Sequence, residues 1–440
     1  MSGTPEAPLR IVAVSLHTSP LAEPGGADAG GMNVVVLEQA LALGRAGHRV
    51  DLFTRRSDEH SPDVVDVAPG VRVHHLAAGP PASLAKSAME PAIEPFRVQL
   101  RRALTQQAAL AQPGADDQAP GWDLIHSHHW FSGVAALPTA GELGLPHLQS
   151  FHSVAAPEDA PQLDAGEPAE SSGRIPGERL VARESDLVVA VSQAEARTIA
   201  ERYGVPGERL AVVRPGVDVE RFCPSAGMGD PAGTPEPHRP TLLFAARLQP
   251  LKAPDLALEV LARLDPSLDA RLVLTGGVSQ DFQDYLRELQ DTAQRLGVAE
   301  QVEFVGPQGR GALTARMREA DLLLLTSWSE TFGLVALEAQ ASGTPVVAWA
   351  GAGGLREAVA PGGIVLTTRD ADVWAEAAQR LLTDPEALDA AAQQARRFAE
   401  GRTWEASTRA LAAQYERLVR PGHARHAQDQ PRRDPQEDPR

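Results

Sequence analysis

The sequence predicts an α/β protein with two doubly wound parallel sheets that face each other across a cleft. Short apolar runs alternate with helix-like patterns along the chain. The runs are continuous rather than alternating, which is typical of parallel strands that helices cover on both faces. They fall into two series, and a Pro- and Gly-rich stretch at 224–240 between the series indicates a linker. Two such series predict two domains of the same architecture.

The order of the runs defines the predicted domains. The first series lies at 11–15, 50–54, 71–76, 124–127, 147–151 and 187–191. The second lies at 242–246, 272–275, 302–305, 322–326, 346–348 and 364–367. We therefore expect an N-terminal domain over 1–223 and a C-terminal domain over 241–403.

Four further segments have their own patterns. An amphipathic stretch at 404–419 has the length of one helix, and we expect it to pack back on the first domain. The Gly- and Pro-rich segments 111–121 and 157–173 indicate insertions. The charged tail 421–440 is predicted to be disordered.

Composition excludes several classes of function. Of the 440 residues, 43% are hydrophobic, and the net charge is −17, which argues against a nucleic-acid or anionic-membrane partner. The lone Cys223 cannot form an internal disulfide. The N-terminus has no apolar signal region, and no apolar run is long enough for a transmembrane segment. These features predict a cytoplasmic globular protein with small-molecule partners, and they leave a homodimer open.

A glycine-rich loop follows the first predicted strand. It runs from His17 through Asp28, Gly30 and Gly31 to Asn33, where an apolar helix pattern starts. Glycines at a strand-to-helix turn let backbone N–H groups approach an anion, and the helix dipole adds to the attraction. The loop lacks the GxGxxG pattern, so a dinucleotide site is disfavoured. An ordinary flexible turn remains the alternative.

Two glutamates flank a second predicted strand-to-helix turn. Glu330 precedes the helix and Glu338 lies about one turn inside it, with Phe332, Gly333, Leu334 and Val335 between them. Free N–H groups at the start of this helix would hold a pyrophosphate. One carboxylate would reach the hydroxyls of a sugar, and the other those of a ribose. The alternative is one capping and one surface glutamate.

Two cations follow the first strand of the second series. Arg247 and Lys252 lie five residues apart, on the loop where a doubly wound sheet binds its ligands. They could neutralise a pyrophosphate and stabilise a departing nucleotide. A solvated loop is the alternative.

Histidines cluster at the ends of two predicted strands, namely His126, His128 and His129 after one strand and His152 after another. Their spacing suggests metal binding, but no Cys or carboxylate pattern completes a zinc site. The chain also shows no convincing DxD-like metal pair. We therefore predict ligand contact and no metal.

Together these residues resemble the family-four retaining glycosyltransferases of the GT-B fold, over residues 9–415. The segment SETFGLVALEAQASGTPV, with Glu330 and Glu338, and the Arg247/Lys252 pair carry this resemblance. Within the family, HTSPLAEPGGADAGGMN at 17–33 and AGPPASLAK, ending at Lys86, are similar to the inositol-phosphate N-acetylglucosaminyltransferases of mycothiol synthesis.

The resemblance implies a function. Two Rossmann-like domains would hold a UDP-sugar and transfer GlcNAc or glucose, with retention, to a small phosphorylated polyol or sugar such as inositol phosphate. No cofactor would be required. The implied donor contacts are Gly30, Gly31, Arg247, Lys252, Glu330, Phe332, Gly333, Leu334, Val335 and Glu338. The implied acceptor contacts are His17, Asp28, Asn33, Lys86, His129, Ser153 and Arg174. The implied catalytic residues are His152, beside the donor sugar, with Glu330, Arg247 and Lys252.

The chain departs from the family pattern on the acceptor side. His129 replaces a tyrosine, Ser153 replaces a threonine, and Pro157-Glu158 stands where a Lys-Asn pair is expected. The segment RIPGE at 174–178 resembles sucrose-phosphate synthases instead. Fructose 6-phosphate and an unphosphorylated glycan or lipid therefore remain alternative acceptors.

Other functions are compatible with the same fold. A GT-B epimerase or a phosphorylase would share the fold, although nothing marks a lysine for pyridoxal phosphate. A non-catalytic sugar-binding protein is the alternative from another class, but such proteins are normally exported. Turnover of a UDP-sugar, and its dependence on an acceptor, separate these functions.

Overall fold

The computed structural model describes residues 8–23, 30–110, 121–155, 171–225, 239–278, 282–359 and 361–419. The segments expected to be insertions, the expected linker and the expected disordered tail lie almost wholly outside the described residues.

The N-terminal half forms an eight-stranded sheet with the order β3-β4-β2-β1-β5-β6-β7-β8. Every pairing is parallel except that of β3 with β4. The strands are β1 (Arg10–Val14), β2 (Arg49–Arg55), β3 (Val64–Ala68), β4 (Val71–Leu76), β5 (Leu124–His128), β6 (His147–Ser150), β7 (Leu187–Ala190) and β8 (Leu210–Val212).

Sequence analysis missed β3 and β8, the two edges of this sheet. Residues of β3 are exposed or half-buried, and those of β8 are half-buried throughout. Asp66 interrupts the apolar pattern of β3, and β8 is an apolar segment of only three residues.

The C-terminal half forms a six-stranded parallel sheet with the order β11-β10-β9-β12-β13-β14. Its strands are β9 (Thr241–Ala245), β10 (Arg271–Thr275), β11 (Val302–Gly306), β12 (Leu322–Leu325), β13 (Val346–Trp349) and β14 (Ile364–Leu366). All six correspond to predicted runs.

Helices cover both sheets. They are α1 (Gly31–Arg45), α2 (Ile93–Leu110), α3 (Trp130–Leu143), α4 (Arg174–Glu184), α5 (Gln193–Tyr203), α6 (Pro254–Arg263), α7 (Tyr285–Arg295), α8 (Arg310–Glu319), α9 (Leu334–Ala341), α10 (Leu355–Ala358), α11 (Ala371–Leu382), α12 (Pro385–Glu400) and α13 (Trp404–Val419). Among the described helices, none has the length and apolar composition for crossing a membrane.

The last helix returns to the N-terminal sheet. Helix α13 contacts α1, and its buried side chains Leu411, Tyr415 and Leu418 join the apolar core between that sheet and α1. The N-terminal core therefore includes the last described segment of the chain.

The carboxyl ends of the two sheets face each other. In the N-terminal half, His17, His129 and His152 follow β1, β5 and β6. In the C-terminal half, Arg247 follows β9 and Glu330 follows β12. All five residues line one cavity, which lies where doubly wound sheets bind ligands.

Candidate active site

A cavity of about 450 Å³ lies between the two sheets. It brings together most of the residues that the sequence singled out. From the N-terminal half it is lined by His17, Gly30, Gly31, Asn33, Lys86, His129, His152, Ser153 and Arg174. From the C-terminal half it is lined by Arg247, Lys252, Glu330, Phe332, Gly333 and Leu334. Asp28 lies outside the described residues.

Both lysines of the chain line this cavity. The sequence has 41 basic residues, and only Lys86 and Lys252 among them are lysines. One lies in each half of the cavity. An ammonium group is a compact charge that makes no bidentate fork, unlike the guanidinium used everywhere else in the chain. The distribution marks the cavity as chemically distinct from the remaining surface.

In the C-terminal half, an ion pair holds Glu330. Its Oε1 accepts from Lys252 Nζ at 2.7 Å and from Ser327 Oγ at 2.9 Å. Its backbone joins that of Gly353 in a parallel bridge. Glu330 is thus fixed by its main chain and its side chain, and both charges stay at the cavity surface.

Helix α9 begins at this surface. Gly333 is its N-cap residue, with φ of 94°, and no side chain caps the helix. A Cβ on Gly333 would come within 2.4 Å of Leu355 Cδ2, so only glycine fits. The N–H of Leu334, in the first turn, has no acceptor within the helix and can bind an anion at the cavity surface.

The structure does not bring Val335 and Glu338 to the cavity surface. Glu338 is buried and pairs with Arg310 at 2.8 Å. Burial raises the pKa of the Glu338 carboxyl, and the positive charge of Arg310 opposes that shift. One turn inside α9, Glu338 points toward the start of α8, a neighbour that the sequence spacing did not show.

In the N-terminal half, Arg174 is buried at the start of α4. Its Nε donates to Glu178 Oε1 at 2.8 Å, and its Nη2 donates to Ser153 Oγ at 3.2 Å. Glu178 also accepts hydrogen bonds from Ala155 N and from the hydroxyl of Tyr203. Sequence reasoning missed the role of Glu178, although its i,i+4 spacing from Arg174 was a signal.

His129 and His17 lie against each other, with ring centroids 4.3 Å apart. His129 has φ of 68°, uncommon for a residue with a side chain. Its N–H donates to Ser150 O at 2.8 Å and its carbonyl accepts from Gly133 N at 3.2 Å. These bonds hold the backbone in its strained conformation at the turn into α3.

His152 is tied to a second histidine behind it. Its Nε2 lies 2.9 Å from His128 Nδ1, and the rings stack. Burial lowers the pKa of His152 to about 4 and holds that of His128 well below its ordinary value. Both rings are therefore neutral near pH 7, and one donates to the other.

The structure fixes the tautomer of His126, which lies beside His128. Ser150 Oγ donates to Val189 O at 3.0 Å, so it must accept from His126 Nε2 at 2.9 Å. His126 Nδ1 then accepts from the Tyr415 hydroxyl at 2.7 Å. Both ring nitrogens of His126 are hydrogen-bonded to other protein groups, so His126 has a structural role. Of the histidines expected to contact a ligand, His129 and His152 line the cavity.

A further carboxyl group, Glu195, lines the cavity and was not predicted. Burial raises its pKa to about 8, so it is protonated near pH 7. Its Oε2 accepts from Val191 N at 2.7 Å, and Ser192 Oγ caps the same helix, α5, by accepting from Glu195 N. This arrangement resembles a capping box, except that Glu195 reaches the N–H one residue before the N-cap, and the SQAE segment was its signal in the sequence.

Polar contacts join the two halves beside the cavity. Ser192 Oγ donates to Thr331 O at 2.7 Å. Glu357 accepts from Gln193 N at 2.7 Å and pairs with Arg214. Among the described residues, no group of three or more His, Cys, Asp or Glu side chains could hold a metal ion.

Comparisons with known proteins agree with this architecture. Residues 231–398 match the family described as glycosyl transferases group 1, and residues 29–221 match glycosyltransferase family 4. The D-inositol 3-phosphate glycosyltransferase of Nocardiopsis dassonvillei is 40% identical over 401 residues, 88% of this chain and 90% of that protein. That of Salinispora arenicola is 39% identical over 427 residues, 94% of this chain and 92% of that protein.

A solved structure is similar over nearly its full length. The sucrose-phosphate synthase of Thermosynechococcus elongatus has a TM-score of 0.79 and 26% identity, covering 93% of this chain and 99% of that one. The predicted GT-B fold and family resemblance are confirmed. The chain therefore belongs to the group 1, family-four glycosyltransferases of the GT-B fold, and it is a transferase enzyme.

Proposed function

We propose that this enzyme transfers a glycosyl unit, GlcNAc or glucose, from a UDP-sugar to a small phosphorylated polyol such as inositol phosphate, with retention of anomeric configuration. One observation carries the proposal: the cavity holds two separate sets of anion-binding groups. Lys252, Arg247 and the start of α9 form the first set, and Lys86 and Arg174 form the second. A nucleotide sugar and a phosphorylated acceptor need two such sets in one cavity.

The first set suits the donor diphosphate. Lys252 and Arg247 would stabilise the negative charge that develops as the nucleotide departs, together with the free N–H groups of α9. Glu330, held by Lys252 at 2.7 Å, would accept hydrogen bonds from hydroxyls of the donor sugar. This charge stabilisation requires no divalent metal.

The reaction would occur beside His152. The bond from the anomeric carbon to the diphosphate breaks, and the acceptor hydroxyl attacks from the side of the leaving group. A phosphate oxygen of the leaving group accepts the hydroxyl proton. His152, neutral because burial lowers its pKa to about 4, would hydrogen-bond the donor sugar. Contacts between the two halves would exclude water from the reacting atoms.

The second set suits the acceptor. Two relatives of about this chain's length bear the name D-inositol 3-phosphate glycosyltransferase, at 40% and 39% identity. Lys86 and Arg174 would bind the phosphate of such an acceptor by charge-assisted hydrogen bonds. Glu178 would hold the Arg174 guanidinium in place through their 2.8 Å contact.

A second acceptor has a specific observation in its favour. The RIPGE segment, which resembles sucrose-phosphate synthases, forms the start of α4, and the solved synthase is similar over 93% of this chain. Fructose 6-phosphate also carries a phosphate, so the same cations would serve it.

Release of UDP from a panel of substrates tests the proposal. UDP-N-acetylglucosamine and UDP-glucose are each offered with inositol phosphate, with fructose 6-phosphate or alone. We expect release that depends on inositol phosphate. Release with fructose 6-phosphate only would favour the second acceptor, and release that needs no acceptor would contradict transfer. Proton NMR of the product then reads the anomeric configuration.

A further inference from the structure

The acceptor half of the cavity contains buried hydrogen-bonding groups that have no partner among the described residues. Within that part of the chain, neither ring nitrogen of His129 has a hydrogen-bond partner, and neither does Nδ1 of His17. His129 is only 2% exposed. A buried polar group left unpaired is energetically costly, and a neutral imidazole carries one donor and one acceptor. These rings are thus arranged for a group that enters the cavity.

The surroundings of His129 determine what that group can be. One side of the ring packs on Phe131, with centroids 5.0 Å apart. Among the residues that the structure describes, the titratable and charged groups that act on it are His17, Lys86, Arg174 and His152. All are neutral or positive, and the carboxylate of Glu178 is already paired with Arg174. An environment of this sign attracts an anion.

The same surroundings keep the free ring neutral. Burial, and then the neighbouring His17 and Lys86, hold the pKa of His129 well below its ordinary value. A dianionic group in contact with the ring reverses this balance, since an opposite charge nearby favours the protonated form. The tyrosine that the family places here could donate one hydrogen bond, but it could not gain a positive charge.

We propose that His129 binds the phosphate of the acceptor directly and takes up a proton when that phosphate enters the cavity. This inference rests on the proposed function and gives this chain a pH-dependent acceptor site. His129 is neutral in the free enzyme and an imidazolium in the complex. Its pKa is therefore higher in the complex, so acceptor affinity falls as pH rises between the two values.

Isothermal titration calorimetry counts the proton. D-inositol 3-phosphate and inorganic phosphate are titrated separately into the full chain with UDP, in Tris and in HEPES at about pH 8. At that pH the free phosphate is mainly dianionic, because the pKa of its second ionisation is about 6–7. The dependence of the measured heat on the buffer gives the number of protons taken up. We expect about one for the native chain.

Two variants of His129 distinguish the effect of its protonation from the effect of its packing. His129→Tyr restores the family residue, and His129→Gln keeps hydrogen bonding without a titratable group; we expect both to bind phosphate with no proton uptake. His60→Gln, at an exposed position, is the matched control and should behave as the native chain does. Circular dichroism verifies folding, and if one variant fails to fold, the other decides.

A pH profile gives a second readout. The acceptor KM of the native enzyme should rise by up to about tenfold per pH unit between pH 7.5 and 8.5, while that of His129→Tyr stays flat. The donor KM should be the same for both. Equal proton uptake by the native chain and His129→Tyr, or no uptake by the native chain, would overturn the inference.

The two proposals can fail separately. His129-dependent proton uptake with inorganic phosphate, without glycosylation of inositol phosphate, supports this inference and contradicts the proposed acceptor. Glycosylation of inositol phosphate without His129-dependent uptake contradicts this inference and supports the proposed function. Failure of both phosphates to bind the native chain overturns both.

Discussion

The two halves of the cavity are built in different ways. In the donor half, charges are paired and the backbone sets the geometry: Lys252 holds Glu330, and Gly333 opens the start of α9. In the acceptor half, neutral buried imidazoles dominate, and the ring nitrogens of His129 have no partner in the described part of the chain. Residues 241–403 contain no histidine at all.

This difference indicates which half of the cavity tolerates changes of neighbouring residues and which half changes its specificity with them. A site made from backbone N–H groups and an ion pair keeps its form when neighbouring side chains change. A site made from side-chain nitrogens takes its specificity from single residues. Accordingly, the departures from the family pattern, at His129 and Ser153, lie in the acceptor half.

The largest effect should come from the donor half. Glu330→Gln leaves Lys252 without its carboxylate and weakens the proposed contact with the donor sugar. We expect the rate of UDP release to fall about 10²–10³-fold, as for loss of one preorganised polar contact at a reaction centre. Glu303→Gln, on the exposed face of β11, is the control and should retain full turnover. Native-like turnover of Glu330→Gln would remove Glu330 from the donor site.

The buried ion pair of the acceptor half should matter for stability. Glu178→Ala leaves Arg174 without the carboxylate that it contacts at 2.8 Å, and Tyr203 also loses its partner. We expect the free energy of unfolding to fall by about 3 kcal/mol, because removing one member of a buried pair strands the other. Urea denaturation measures the loss. A change below about 1 kcal/mol would mean that water replaces the carboxylate.

Lys86 should contribute to binding of the acceptor and not of the donor. Lys86→Ala is expected to raise the acceptor KM about 10–100-fold, the equivalent of one lost hydrogen bond to a charged group, and to leave the donor KM unchanged. Lys86→Arg keeps the charge and should lose less. Lys252→Ala should show the reverse pattern, with the larger effect on the donor. Equal effects of Lys86→Ala on both KM values would exclude the acceptor role.

A smaller effect concerns protein stability, which two buried carboxyl groups, Glu195 and Glu338, should influence differently as pH changes. The pKa of Glu195 is raised to about 8, so between pH 4.5 and pH 8 the folded state holds a proton that the unfolded state does not. Its contribution to stability therefore declines as pH rises through this range. Glu195→Gln should remove the decline and stabilise the protein by about 1–3 kcal/mol at pH 8 relative to its effect at pH 5.

Thermal unfolding at the two pH values measures this change. The counterpart in the donor half, Glu338→Gln, removes the carboxylate that pairs with Arg310 and should destabilise the protein at pH 8. A gain for Glu338→Gln as large as that for Glu195→Gln would show that the two carboxyl groups are not in different environments.

Much of the fold could be read from the amino-acid order. Central strands such as β7 and β12 are buried on both faces, and each is a continuous apolar run. The edge strands β3 and β8 escaped detection because Asp66 interrupts the apolar pattern of β3 and β8 is only three residues long. The glycine-rich turns and the Arg247/Lys252 pair were visible because their chemistry depends on local spacing.

The sequence by itself determined the two parallel sheets and the residue types at their carboxyl ends, because strand burial and turn chemistry are local properties. Only the tertiary structure decided which of these residues meet. Lys86 and Lys252 share one cavity, Tyr415 hydrogen-bonds His126, and Glu338 turns to Arg310. The two lysines share a cavity because the sheets face each other, Tyr415 reaches His126 because α13 returns to the N-terminal sheet, and Glu338 reaches Arg310 because α8 and α9 pack together. Each contact joins separate elements of the fold, so no spacing rule could give it.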